Sequence, residues 1–301
     1  MRHLVTLIAA VLLSACGSSA VSGTAAAPAL KTDQVIVAHR GASGHAPEHT
    51  FAAYDLALAM GAEYIEQDVY PTADGVLVCL HDLTLDRTAR GPAENCTGQV
   101  SQKTLAQLKT CDMGSWFNET YPERAKAEYV GQTIPTLEEV FQRYGQRARY
   151  YIEIKPGLSL QDSTARKLLD LINRHGLREG AISRRQVLVQ SFIPTVLLEM
   201  RTLDPQIPLV QLMQPATTNA ATLAAMAEYS FGVGPALSDV DADLLDQAHR
   251  LGLAVHPYTV NDEADLERTA ALCVDGTFTN YPDRYRQLLS DRDFDCPAPI
   301  R

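Results

Sequence analysis

Short apolar runs alternate with amphipathic stretches along most of the chain. The run at 35–38 reads as a buried strand, and a helical pattern follows from about Thr50 to Gly61, a residue suited to ending a helix. Residues 64–70 alternate as a strand, with Tyr64, Glu66 and Asp68 on one face. Asp74-Gly75 is a two-residue hairpin signal, so the apolar run at 76–81 must return antiparallel; a parallel partner would need a long crossover. If Asp74 and Gly75 form the loop, His81 lies opposite Asp68, and a slip of one residue would turn it to the other face. A helix is expected from Pro135 to about Tyr144. The strand that follows carries Glu153 and Lys155 on one face and Ile152 and Ile154 on the other. A charged pair in a strand covered on both sides is costly unless it binds something.

Downstream the alternation is steady. Helices are expected over 162–175, from Pro194, and over 220–228, 241–250, 263–272 and 282–289. Strands begin at Val187, Leu209, Phe231, Leu253 and Gly276. With those at Val35, Tyr64 and Tyr150, this makes eight parallel candidates. The pattern predicts the α/β class and a (β/α)8 TIM barrel, with an open doubly wound sheet as the competing arrangement. The stretch from about 83 to 132 has weak periodicity, with one helical pattern at 101–109. It reads as a small insertion after the second strand's hairpin, lying over the active face.

The 301 residues are 46% hydrophobic, enough for a full core, with a formal charge of −10 and no basic run, which argues against a nucleic-acid partner. An acidic protein acting on an anion needs local cations, and this draws attention to Arg40 and Lys155. Residues 1–15 have a basic start and an apolar run too short to span a bilayer, as in a signal peptide. Leu13-Ser14-Ala15-Cys16-Gly17 resembles a bacterial lipobox, which implies cleavage before Cys16 and lipidation there. Residues 16–33 read as a flexible tether, and 34–301 as the folded domain. The expectation is an exported protein of the bacterial envelope, facing the periplasm or cell surface and touching the membrane only through its lipid anchor. Five cysteines remain beyond Cys16. Cys96 with Cys111, and Cys273 with Cys296, are nearest in sequence, though sequence does not determine the pairing.

The candidate chemistry sits at strand ends. His39-Arg40 ends the first strand, and Gly41 and Gly44 let the chain turn there. Alone, such a pair is better explained by structural hydrogen bonds. Together with Glu66, Asp68, Glu153, Lys155 and His81 on one barrel rim, it forms a constellation. Three carboxylates make a hard-oxygen site for one divalent cation, Ca²⁺ or Mg²⁺. Two imidazoles can serve as general base and general acid. Arg40 and Lys155 can hold an anion. The set suits displacement at phosphorus.

His39-Arg40-Gly41…Pro47-Glu48-His49-Thr50, Ile65-Glu66-Gln67-Asp68-Val69, His81-Asp82…Leu85-Asp86-Arg87-Thr88 and Ile152-Glu153-Ile154-Lys155 resemble the glycerophosphodiester phosphodiesterases. Gln190-Ser191-Phe192, Val255-His256-Pro257-Tyr258-Thr259 and Thr277-Phe278-Thr279-Asn280 continue the likeness. His49 and Tyr258 resemble the exported, calcium-dependent subgroup. The resemblance implies catalytic His39 and His81, metal ligands Glu66, Asp68 and Glu153 with Ca²⁺ ahead of Mg²⁺, phosphate contacts from Arg40 and Lys155, and Glu48 orienting the first motif. It implies release of glycerol 3-phosphate and an alcohol from deacylated phospholipids. Another phosphodiester, such as a teichoic acid or a sphingolipid, is an alternative substrate, and a non-catalytic surface-binding lipoprotein is an alternative role. Asn280 stands where the family more often has Asp.

Overall fold

The computed structural model describes residues 33–155 and 164–298. The leader, Cys16 and nearly all of the tether lie outside the described residues, as does the expected start of the helix near 162. Eight parallel strands run in the spatial order β8-β7-β6-β5-β4-β2-β1-β9: β1 (Val35–Ala38), β2 (Tyr64–Pro71), β4 (Tyr150–Ile154), β5 (Val187–Ser191), β6 (Leu209–Leu212), β7 (Gly232–Gly234), β8 (Ala254–Val255) and β9 (Gly276–Thr279). Backbone bonds from Asp275 N to Val255 O (3.1 Å) and Phe278 N to Pro257 O (3.0 Å) tie β8 to β9, so the sheet curls into the barrel that the alternation predicts. Among the strands of the described residues only β3 (Leu77–Cys79) is antiparallel, paired with β2.

The two faces of the barrel strands divide as their residues dictate. Ile65, Val69, Ile152, Ile154 and Val189 point outward into the main apolar cluster beneath the helices. Val37, Tyr64, Tyr151, Leu188, Val210 and Phe278 fill the barrel interior. Glu66, Asp68, Glu153 and Lys155 continue those inward rows toward the C-terminal rim. The helices begin where sequence chemistry places them. Thr50 and Asp241 cap theirs, Thr136 forms a capping box with Glu139, and Pro194 and Pro282 occupy first-turn positions.

Several elements differ from expectation. The hairpin loop has three residues rather than two. Thr72 N bonds Val76 O, Thr72 Oγ1 holds Asp74, and Gly75 takes φ +83. This is a turn closed by a left-handed glycine. The register therefore shifts by one, and Leu80, not His81, lies opposite Asp68. The run expected from Leu253 shrinks to two strand residues because Pro257 has no amide to donate. A short helix, Arg178–Arg184, was not expected, and the helical pattern at 101–109 breaks at Thr104, whose hydroxyl caps a new turn.

The insertion builds its own small core. Val78, Leu80, Leu85, Val100, Leu108 and Ile134 cluster together, stapled by the Cys96–Cys111 disulfide. Trp116, Phe117 and Tyr129 pack on Ala46 and Ala53, which seats the insertion over the barrel mouth. A second disulfide, Cys273–Cys296, fastens the C-terminal segment, and Cys79 is a buried free thiol.

Candidate active site

The end of β1 delivers the first two groups. Arg40 and Gly41 both adopt left-handed backbone, with φ of 58 and 81. This turn aims Arg40 N–H at Glu66 Oε2, 2.7 Å away. A side chain on Gly41 would collide with the Ala53 backbone at 2.7 Å, so the turn requires glycine. His39 Nδ1 lies 2.8 Å from Asn280 Oδ1, which leaves Nε2 for the cavity. Burial first, and then the Arg40 charge, push the His39 imidazole down to about 3, so it is neutral at physiological pH.

Four charged groups from β2 and β4 meet in register, Asp68 pairing with Glu153. Glu66 and Asp68 are each 1% exposed, Glu153 6% and Lys155 7%. The Lys155 ammonium bridges Asp68 Oδ1 (3.1 Å) and Glu153 Oε1 (2.9 Å). Asp68 Oδ2 is held by His49 Nε2 at 2.8 Å, while His49 Nδ1 meets the Tyr54 hydroxyl. Burial and mutual repulsion raise Glu66 well above the ordinary carboxylate range and push Glu153 up to about 8. Although burial opposes it, Asp68 is held well below that range, chiefly by Lys155 and His49.

His81 arrives by a different route from the one expected. The chain leaves β3 at Cys79, so His81 is placed by the loop rather than by strand pairing. Its Nδ1 lies 2.7 Å from Asp82 Oδ1, and its side chain lines the same cavity as His39, Arg40, Glu66, Glu153 and Lys155. Burial lowers its basicity as well. The structure thus brings together all seven charged and imidazole groups read from the sequence.

Glu48 accepts from Arg40 (3.1 Å) and from both terminal nitrogens of Arg87 (2.7 and 2.8 Å), which keep it ionised down to about 2. Arg87 also donates from Nε to Asp82 at 2.6 Å and lies over the Trp116 ring. Sequence reasoning missed Arg87 and the contact between His49 and Asp68. It also set Asn280 aside, although that residue directly holds His39. The available signal was motif adjacency: Arg87 and Asn280 both lie inside matched segments.

The donor set fits a hard divalent cation. Glu66, Asp68 and Glu153 offer carboxylate oxygens, and Gln190 Oε1 is buried without a hydrogen-bond partner among the described residues. His49, Glu66 and Asp68 also present ligand atoms within 4.8 Å of one another.

A model of the glycerophosphoryl diester phosphodiesterase family matches residues 39–284. The glycerophosphodiester phosphodiesterase of Bacillus subtilis (strain 168) is 42% identical over 277 residues, spanning 89% of this chain and 91% of that protein. A glycerophosphodiester phosphodiesterase structure from Agrobacterium tumefaciens is similar, with TM-score 0.69 and 28% identity over 84% of this chain and 99% of that one. An Oleispira antarctica phosphodiesterase, solved with the product sn-glycerol-3-phosphate, gives TM-score 0.72 and 29% identity over 86% of this chain and 97% of its own.

Proposed function

The chain belongs to the glycerophosphoryl diester phosphodiesterase family and hydrolyses glycerophosphodiesters to glycerol 3-phosphate and an alcohol; from that premise we propose how its own residues carry the reaction. The observation that carries this reading is the meeting of two imidazoles, three buried carboxylates and two cations at one barrel mouth.

Glu66, Asp68 and Glu153 hold one divalent cation. Ca²⁺ is favoured over Mg²⁺ because crowded carboxylates suit its flexible, high coordination number. Two things support this: the raised proton affinity of Glu66 and Glu153, which a cation would relieve, and the orphaned Gln190 Oε1. Both nitrogens of His49 are already committed, to Asp68 and Tyr54, so it serves to position Asp68. When bound, the ion supplies positive charge against the charge that develops on the phosphoryl oxygens.

Arg40 and Lys155 orient the phosphate beside the carboxylates, and Glu48 keeps the Arg40 guanidinium in place. Asn280 and Asp82 fix the two rings through Nδ1, so Nε2 of each faces the reacting group. One imidazole takes the proton of the attacking hydroxyl, and the other delivers a proton to the departing alkoxide. The protein is exported and lipid-anchored through Cys16. Two disulfides in a chain of this size support an oxidising compartment.

Release of glycerol 3-phosphate from glycerophosphodiesters tests the assignment. His39→Ala and His81→Ala should each lower kcat by about 10² to 10⁴. Activity that survives either change refutes the role of that imidazole.

A further inference from the structure

Two cavities meet at His39, Arg40 and Thr259, which line both. The inner one, about 260 Å³, contains Glu66, Glu153, Lys155 and His81, backed by the apolar walls of Phe192 and Leu212. The outer one, about 430 Å³, lies between the first barrel loop and the insertion, walled by Glu48, Arg87, Trp116, Thr120, Asn261 and Asn280. A phosphodiester has one alcohol on each side of phosphorus. With phosphate at the shared edge, one arm enters each cavity. The glycerol arm is small and common to every substrate, which suits the tighter inner space. The variable alcohol needs the wider one.

The wall of the outer cavity indicates what that alcohol is. Its one carboxylate among the described residues, Glu48, is fully engaged by the Arg40 and Arg87 guanidinium groups. Its rings Trp116 and Tyr121 each already have one guanidinium against them. Arg87 lies 5.5 Å from the Trp116 ring centre, and Arg124 lies 4.2 Å from that of Tyr121. A quaternary ammonium needs an open aromatic face or a free carboxylate; here the carboxylate is occupied and each ring already has a guanidinium cation against it. The wall does offer hydrogen bonds. The Oδ1 atoms of Asn261 and Asn280 are bound to Asn280 N and to His39, which leaves their amide NH₂ groups to donate to alcohol oxygens, while the Thr120 hydroxyl, which donates to Trp116 O at 2.8 Å, can accept from an alcohol O–H.

We propose that the outer cavity is the subsite for the leaving alcohol and that it selects uncharged polyols over quaternary-ammonium alcohols. The proposal rests on the phosphodiesterase reading above. The test compares kcat/KM for glycerophosphoglycerol and glycerophosphocholine on the Ca²⁺-loaded protein. Glycerophosphoglycerol should be preferred by about tenfold or more, as expected when polar groups of a site are left unpaired by the wrong ligand. Thr120, exposed at the rim, adjusts this preference. Thr120→Glu should shift the ratio toward glycerophosphocholine by about threefold, and Thr120→Lys should shift it the other way, as expected for exposed charges. Equal rates, a choline preference, or a ratio that ignores both substitutions overturns the subsite assignment while leaving the phosphodiesterase reading intact. Release from neither substrate overturns both.

Discussion

Divalent-cation binding should tighten steeply with pH. Glu153 is pushed up to about 8 and Glu66 is raised well above its ordinary range, so near neutrality the ion-free site holds protons that binding must expel. If one proton leaves per ion, Kd falls about tenfold per pH unit, equivalent to about 1.4 kcal/mol. At about 100 times the Kd reached at pH 7.5, the ion stabilises the fold by about 2.7 kcal/mol. In a chain of this size each kcal/mol moves Tm by about 2 to 4 °C, so the shift is about 5 to 11 °C. At pH 6.5 and the same ion concentration, about half of it should be lost. The ion-free protein runs the other way. A carboxylate whose folded pKa is raised stabilises the fold below its unfolded value, and that contribution is lost as pH rises toward about 8. Thermal melts at the two pH values, with and without Ca²⁺, separate the trends. Calorimetry in buffers of different ionisation enthalpy counts the protons, and Glu153→Gln should flatten the pH dependence. Equal shifts at both pH values with no proton release would refute the view that these buried carboxylates share one cation.

Other outcomes follow from single contacts. Asn280→Asp places a carboxylate on His39 Nδ1, which should raise the His39 pKa and move the limb it controls in the kcat/KM–pH profile upward by about one unit or more. A profile unchanged on both limbs would remove His39 from the reaction. Lys155→Met strips the cation that bridges Asp68 and Glu153 and should lower kcat/KM by about 10²; steady-state kinetics would reveal a smaller role. Replacing Cys96 and Cys111 by serine opens a loop of 15 residues and should cost about 3 kcal/mol, read as a lower midpoint in urea. An unchanged midpoint would show that the insertion does not unfold with the barrel.

The barrel was legible because the parallel strands carry short apolar runs and many of the helices between them begin at a cap or a proline. The rim groups were legible because strand alternation places Glu66, Asp68, Glu153 and Lys155 on inward rows. Local chemistry below the resolution of periodicity was not. Thr72 and Asp74 form a side-chain bond that lengthens the hairpin loop, so a two-residue turn signal gave the wrong register. His81 still reaches the cavity, by a loop that pattern reading does not trace. Arg87 lay inside a matched segment but was given no role. Its function depends on Glu48, 39 positions away, and no window of local sequence contains both.

That one guanidinium touches three separate segments of chain. From the start of the insertion it grips the loop after β1 through Glu48, the residue beside His81 through Asp82, and a later part of the insertion through Trp116. The insertion is therefore not a freely interchangeable module. A chimera that grafts another member's insertion onto this scaffold inherits a compatibility requirement at the seam. Unless the graft supplies its own arginine at the place of Arg87 to hold Glu48 and Asp82, the orientation of a histidine outside the grafted segment is put at risk.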